Sequence, residues 1–455
     1  MAKDLTQGSP MKLIVGFSVP LMFGFLFQQF YNFVDTAIVG KTLGLNALAA
    51  VGSTSSLNFL ILGFCMGVCS GFSISVARCF GARDYKALRR YVTNGAWLAV
   101  GFSVVLTVLT VLFCRDMLRA TKTPGDIFED AYKYIVVILA CIPVTIFYNF
   151  LSCVIRAMGD SRRPVIYLIV ASVINIVLDF VFILLFHLGV TGAALATGIS
   201  QLVAGLGCLH TIRKMDVLTF AKAEWTPDWR YMKPLLLEGV PMGLQFSITA
   251  IGSVILSASV NGLGSVAVAA VTAASKLSMF FCCVFDALGS TIATYAGQNA
   301  GAGEIGRIRR GIKCCTAIGL GYALFALLLI VCFGRGLIGL FVDVAQVQAT
   351  EDAYQFLVTN ALFYVPLLFV NLLRLLIQGV GRTSLAVFAG VCEMVARTLI
   401  GFFLVPRFGF VAACFASPVA WLCADLFLFP ASLHVLKNLA ASRVARERTR
   451  ERANL

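Results

Sequence analysis

Long apolar runs alternate with short polar clusters from one end of this chain to the other. A helix that crosses the hydrocarbon of a bilayer needs about 20 mainly apolar residues. The pattern predicts twelve such runs: 13–36, 48–76, 93–114, 131–156, 164–186, 189–211, 234–258, 265–295, 311–333, 354–378, 384–405 and 409–436. Several contain proline (Pro20, Pro143, Pro241, Pro366, Pro418), which such helices tolerate where neighbours satisfy the freed carbonyl. No series of long alternating strands is present, so a barrel of strands is excluded. The first apolar stretch, Leu13 to Gly40, exceeds the core of a signal peptide and lacks a small-residue cleavage site, so it reads as a retained first helix.

Composition sharpens this. Of 455 residues, 59% are hydrophobic and 13% charged, whereas soluble domains are about half apolar and a quarter charged. A water-soluble globule is excluded, and so is a disordered chain, which needs low hydrophobicity. The net charge of +14 then becomes a question of sides. With the N-terminus inside, 26 of the 36 Lys and Arg fall on the cytoplasmic side, seven (Lys41, Arg115, Arg119, Lys122, Lys133, Arg335, Arg407) fall outside, and Lys276, Arg374 and Arg397 lie within spans. That asymmetry places both termini in the cytoplasm and removes the nucleic-acid reading of the charge. The basic tail, with Glu447 and Glu451 among its arginines, reads as a helix end at an anionic lipid surface.

The fifteen cysteines mostly lie in apolar runs and form no C-x-x-C pair. They read as small buried hydrophobes rather than as a disulfide, haem or zinc framework. Only three His are present and no Asp-rich or His-rich cluster marks an enzyme.

The chain repeats itself. At a shift of 220, Leu43-Gly44 falls on Leu263-Gly264, Gly81-Ala82 on Gly301-Ala302, and Arg89-Arg90 on Arg309-Arg310. Pro20 meets Pro241 at 221; Glu129-Asp130-Ala131-Tyr132 meets Glu351-Asp352-Ala353-Tyr354, and Asn149 meets Asn371, at 222. The fold class is therefore all-α integral membrane, twelve transmembrane helices in two pseudo-symmetric six-helix bundles. An even number of spans per half makes this a parallel repeat about an axis along the membrane normal. The expected organisation is an N-terminal lobe (1–212), an inter-lobe linker (213–233), a C-terminal lobe (234–437) and a basic tail (438–455).

A charge at mid-bilayer costs on the order of 3 kcal/mol, so exceptions in the spans matter. Asp35 lies toward the outer end of the first span and Asp179 in the fifth; Asn175 shares a helix face with Asp179. No Lys or Arg lies near the middle of the first-half spans. These acids either stay protonated or bind a cation, which makes the site responsive to H⁺ or Na⁺; the bland alternative is a static, hydrogen-bonded, protonated Asp. The second half differs. Glu393 and Arg397 are four apart in the favoured acid-first order and read as an internal ion pair, with Arg397 at the repeat position of Asn175. Lys276 and Asp286, ten residues apart, need other partners.

At these residues the chain resembles the multidrug and toxic compound extrusion (MATE) family of antiporters. The matching stretches are Asn32 to Gly40, Gly159-Asp160-Ser161-Arg162-Arg163-Pro164, Asn175 to Asp179, Gly192 to Thr197, and Gly297-Gln298-Asn299-Ala300-Gly301. The resemblance implies two V-shaped lobes and export of organic cations or amphipathic drugs in exchange for H⁺ or Na⁺, without a cofactor, by a monomer of the bacterial plasma membrane. It also implies a coupling-cation site at Asp35, Asn175, Asp179 and Thr197, whose oxygens suit Na⁺ or a proton, and a cavity wall including Gln28, Gln29, Tyr31, Tyr148 and Gln245. One departure is visible: where some branches carry an acid in helix seven, this chain has Gln245-Phe246-Ser247-Ile248-Thr249, so a second-lobe cation site of that kind is not expected. A lipid-linked oligosaccharide flippase is the rival reading; it calls for basic cavity residues, whereas the first-half spans carry acids.

Overall fold

The computed structural model describes residues 3–121, 123–339 and 347–453, with side chains for all of these except Leu45 and residues 442–453. Lys122 and the side chains of the basic tail from Arg443 to Arg452 lie outside what is described. The described chain is helical and holds no strand. Its first half contains α1 (Pro10–Leu43), α2 (Leu45–Gly81), α3 (Tyr85–Leu112), α4 (Cys114–Ala120), α5 (Phe128–Ala140), α6 (Ile142–Ala157), α7 (Arg162–Phe180) and α8 (Val190–Arg213). The second contains α9 (Trp229–Asn261), α10 (Ser265–Gly301), α11 (Ile305–Ile338), α12 (Val347–Leu362), α13 (Tyr364–Gly379), α14 (Thr383–Leu399), α15 (Val405–Phe408) and α16 (Phe410–Ala453). Among the described residues, ten helices are each long and apolar enough to cross a membrane, and two bent pairs make up twelve spans.

Two expected spans, 131–156 and 354–378, are not straight. The first bends by 46° between α5 and α6, the second by 53° between α12 and α13. The breaks fall at Cys141 and Phe363, which are repeat partners at a shift of 222. Pro143 and Pro366 stand in the first turn after each break, where a missing N–H removes no helical bond. The other three spans with proline, at Pro20, Pro241 and Pro418, stay continuous. Backbone detail repeats as well. Gly44, Gly159 and Gly189 have positive φ, as do their partners Gly264, Gly381 and Gly409. Arg83 (φ 57°) holds the left-handed position that Gly303 (φ 76°) holds in the second half, a conformation unfavourable for a side chain.

The chain forms two compact units. One comprises Met1–Asp4 and Val19–Ser247; the other comprises Leu5–Ser18 and Ile248–Leu455. The divisions therefore fall inside α1 and α9, not at the expected linker 213–233. Close backbone packing explains the place of α9. Gly63, Gly67, Gly71 and Ser75 recur every four residues along α2. A Cβ on Gly67 would lie 2.7 Å from the Cα of Gly243, and one on Gly71 would strike Gly239 and the Glu238 carbonyl. The two Gly-x-x-x-Gly stretches thus interlock, the small-residue contact that apolar helices use to approach closely. At its end Ser75 Oγ donates to Glu238 Oε2 (2.7 Å), and Arg78 forms an ion pair with the same carboxylate. The segment 213–233 also belongs to this unit. Arg89 binds Glu224 (2.8 Å), Thr93 donates to the Glu224 carbonyl (2.6 Å), Asn94 accepts from the Asp228 N–H (2.8 Å) and Trp97 donates to the Trp225 carbonyl (2.9 Å).

Two of the matching stretches have structural work. Asp160 accepts from the N–H groups of Arg162 and Arg163 (3.1 and 3.2 Å), capping α7. In the second unit, Gln298 accepts from the Leu5 N–H (2.9 Å), Asn299 donates to the Leu5 carbonyl (3.3 Å), and Arg307 donates to the Gly8 carbonyl (2.9 Å). The Gly297 to Gly301 stretch thereby holds the segment that leads into α1.

Candidate functional site

Three helices of the first unit assemble the predicted cation site. Asn175 and Asp179 lie one turn apart on α7 and are both fully buried at 0% exposure. A π-helical segment, Val181–Leu185, follows at once; such a departure from α geometry is common at functional positions. Thr197 comes from α8, where Gly192, Ala193, Ala194 and Ala196 are all buried and let the helices approach. Its Oγ1 donates to the Ala193 carbonyl (3.1 Å) and accepts from Asn175 Nδ2 (3.4 Å). Tyr31 of α1 places its hydroxyl 3.4 Å from the same Oγ1. Asp35, one turn further along α1, is an electrostatic neighbour of Asp179. The four residues carried over from the resemblance therefore meet.

The donors stop there. Asp35 Oδ1, Asn175 Oδ1 and both carboxylate oxygens of Asp179 are buried and reached by no donor from another residue type, and the two carboxyls lie close enough to share a proton. Neither acid forms an ion pair among the described residues. Buried polar atoms are nearly always satisfied, and acceptors converging without a donor are suited to a proton or a hard cation. Sequence reasoning missed Tyr134 of α5, an electrostatic neighbour of both Asp35 and Asp179 and of Tyr31. Its one signal was a polar hydroxyl on the buried stripe Ala131, Tyr134, Ile135, Ile138.

The expected cavity residues divide. Tyr31 joins the acid cluster, with Gln28 and Gln29 half-buried just before it on α1. Gln245 is buried on α9. Tyr148 belongs to a different group, with Arg156, Ser152, Cys153 and Cys208 as its neighbours.

The second unit gives its buried Glu393 two arginine partners. Glu393 and Arg397 pair at 3.2 Å, and Arg374 pairs with the same carboxylate at 3.0 Å while donating to Asn371 Oδ1 (3.1 Å). Arg374 is the member that sequence reasoning left without a partner. Asp286 has the arginine Arg374 as its electrostatic neighbour, whereas Asp425 has the like-charged Glu393 and a buried Oδ1 without a partner. A second π-helical segment, Ile400–Leu404, follows α14 as the first follows α7. Glu238 is held by Ser75 and Arg78 in the first unit, so it does not stand in for the missing acid of α9.

Comparison with known proteins gives the family. The family model MatE matches residues 20–181 and 241–403, a segment in each half. The probable multidrug resistance protein YpnP of Bacillus subtilis is 29% identical over 411 residues, 90% of either chain. The probable multidrug resistance protein YoeA of the same organism is 31% identical over 329 residues, 70% of either chain. A crystal structure of MATE in a bent conformation superposes with a TM-score of 0.89 at 23% identity, covering 97% of this chain and 98% of that one. Matched in both halves, the chain belongs to the MatE family of membrane transporters, the multidrug and toxic compound extrusion proteins.

Proposed function

We propose that the protein is a secondary active multidrug exporter, expelling organic cations or amphipathic drugs in exchange for H⁺ or Na⁺ by alternating access. The observation that carries this reading is the set of buried, donorless oxygens on Asp35, Asn175 and Asp179. A carboxylate that lacks a fixed cation must acquire a mobile one, and a mobile charge is what a membrane gradient acts on. Each elementary charge moved down 100 mV yields about 2.3 kcal/mol, enough for roughly a fifty-fold gradient of a neutral solute. The names of YpnP and YoeA support the drug class.

Cation binding joins Asp35 of α1 to Asp179 of α7 and Thr197 of α8. The change is passed along α1, where Pro20 lies two residues after the boundary between the units at Ser18 and Val19. The protein acts as a monomer in the bacterial plasma membrane with both termini cytoplasmic. A lipid-linked oligosaccharide flippase is not favoured, since the compared relatives carry multidrug names.

The test is ethidium transport by proteoliposomes with Na⁺ and pH gradients imposed separately. One gradient should drive export in the wild type. Failure of both gradients to move any organic cation would refute the proposal.

A further inference from the structure

The linker between α8 and α9 presents a face that the proposed site does not use. Arg89, Thr93, Asn94 and Trp97 lie along one side of α3 and bind Glu224, Asp228 and the Trp225 carbonyl, which fixes the linker across the start of that helix. Beyond Trp97, α3 exposes Val100, Val104, Val108 and Leu112, four residues apart and therefore on one face. In a membrane protein such a stripe meets acyl chains. Trp97 stands where the stripe gives way to polar residues, the level at which tryptophan gathers in a bilayer. Three of the chain's four tryptophans, Trp97, Trp225 and Trp229, lie on α3, the linker and the first residue of α9. Trp225 is 45% exposed and Trp229 64%, and Phe220 packs edge-on against the Trp225 ring with centroids 5.7 Å apart. A connection that merely joined two spans would gain nothing from exposed tryptophans. The charges beside them do not balance. Glu224 is buried under Arg89, and Asp228 accepts from the Arg230 N–H (3.0 Å), which leaves Asp216 as the exposed acid of the segment. Arg213, Lys214, Lys222 and Lys233 are exposed and form no ion pair among the described residues. In the second half the positions of Thr93, Asn94 and Trp97 hold Lys313, Cys314 and Ala317, so this face belongs to one unit.

We infer that the linker face binds an anionic phospholipid, its phosphate held by the exposed lysines and its chains lying along the α3 stripe beside the tryptophans. The unbalanced lysines select an anion, and the apolar stripe that starts at Trp97 selects one that carries acyl chains. A soluble phosphate would meet only the lysines, and a lipid without net charge only the stripe. Each basic residue next to an anionic lipid surface is worth about a fivefold gain in affinity. This binding needs neither a gradient nor a cargo, so it stands or falls apart from the export function.

The test titrates purified full-length protein in dodecyl maltoside with dioctanoyl phosphatidylglycerol or dioctanoyl phosphatidylcholine. Binding is read by intrinsic tryptophan fluorescence, to which this face contributes three of the four tryptophans. Phosphatidylglycerol should bind the more tightly. Lys222→Gln with Lys233→Gln should weaken it about 25-fold, fivefold for each charge, and leave phosphatidylcholine unchanged. Lys313→Gln with Lys437→Gln removes the same charge from two exposed positions of the second unit and should change neither. Equal binding of the two lipids overturns the inference, as does a linker pair of substitutions without effect. An equal loss in the second-unit pair would assign the preference to general charge attraction and overturns it too. Finally, sn-glycerol 1-phosphate, the headgroup phosphate without chains, is added as a competitor. Displacement of the lipid only at far higher concentration supports a lipid site, and displacement at matching concentration would assign the lysines to a soluble phosphate and overturn it.

Discussion

Asp179→Asn should make the protein more stable and less able to couple. The side chain is fully buried, and its oxygens meet no donor but the Asp35 carboxyl, which lacks a proton to give when both acids are ionised. An unsatisfied buried polar group costs about 1–3 kcal/mol, and more when charged. Asparagine has nearly the same shape, so no cavity opens. It replaces one acceptor by an amide donor beside Asn175 Oδ1 and Asp35 Oδ1, both of which lack a donor. Each new bond adds about 0.5–1.5 kcal/mol. A net gain of about 2 kcal/mol, at roughly 2–4 °C per kcal/mol for a domain of this size, raises the melting temperature by about 4 °C or more.

The assay is intrinsic tryptophan fluorescence during heating in detergent, without the coupling ion and then along a series of Na⁺ concentrations and pH values. A cation at a hundred times its Kd stabilises wild type by about 2.7 kcal/mol, so the wild-type midpoint should climb with the ion that couples. The variant should start higher, stay flat and lose gradient-driven ethidium export. A variant that melts below wild type, or that still climbs with the ion, refutes the reasoning, because the carboxylate would then be satisfied by something other than an exchangeable cation.

Two further outcomes follow from charges that do have partners. Glu393→Gln leaves Arg374 and Arg397 of the second unit without their shared carboxylate; removing one partner of a buried pair costs about 3–5 kcal/mol, seen as a lower melting temperature and a poorer monodisperse yield, and an unchanged melt would contradict the network. Glu224, on the segment between α8 and α9, is burdened by its burial, but the Ala221 N–H and the Arg89 guanidinium outweigh that and hold its carboxyl below the ordinary glutamate value of 4.5. A lowered folded-state value means stability that is fully present above the ordinary value and lost as pH falls through the lowered one. Glu224→Gln should therefore melt lower than wild type at pH 7, the difference narrowing as pH falls below the ordinary value; a gap that does not narrow down to the acid limit of folding would show that the carboxylate charge is not what Arg89 holds.

Much of the fold was written in the apolar pattern, because a bilayer helix announces itself by length and the repeat by fixed spacing. What depends on direction within a helix was not. Pro143 and Pro366 were read as tolerated inside spans, since sequence does not say whether a proline interrupts a helix or begins a new one; the chain restarts helices just before each. The cation site was legible through Asp35, Asn175 and Asp179 because acids stand out among apolar residues, while Tyr134 was not, for a tyrosine in an apolar run is ordinarily core. Arg156 was placed at the cytoplasmic edge by counting, and its position on the chain is indeed at a helix end, yet the lean of its side chain turns it inward. Gly67, Gly71, Gly239 and Gly243 were missed because a glycine pair gains meaning only from the helix facing it.

The two units use one scaffold to opposite electrostatic ends. Where α7 presents Asn175, α14 presents Arg397, and that arginine supplies Glu393 with a counter-charge that never leaves. A carboxylate neutralised by a neighbour on its own helix has no need of an ion from solution, so it cannot take one up on one side of a membrane and release it on the other. In the first unit the equivalent face has unpaired acceptors and, among the described residues, no ion pair, and on the proposed function the counter-charge arrives from outside the protein. On that reading, exchange rests on a pairing that the fold leaves incomplete. The same logic limits the charge moved: Asp35 and Asp179 are the only acids of that cluster, so on the proposed function a cycle carries at most two elementary charges, worth about 4.6 kcal/mol per 100 mV. On the proposed function, the arginine of α14 holds Glu393 permanently and so keeps that carboxylate out of the coupling.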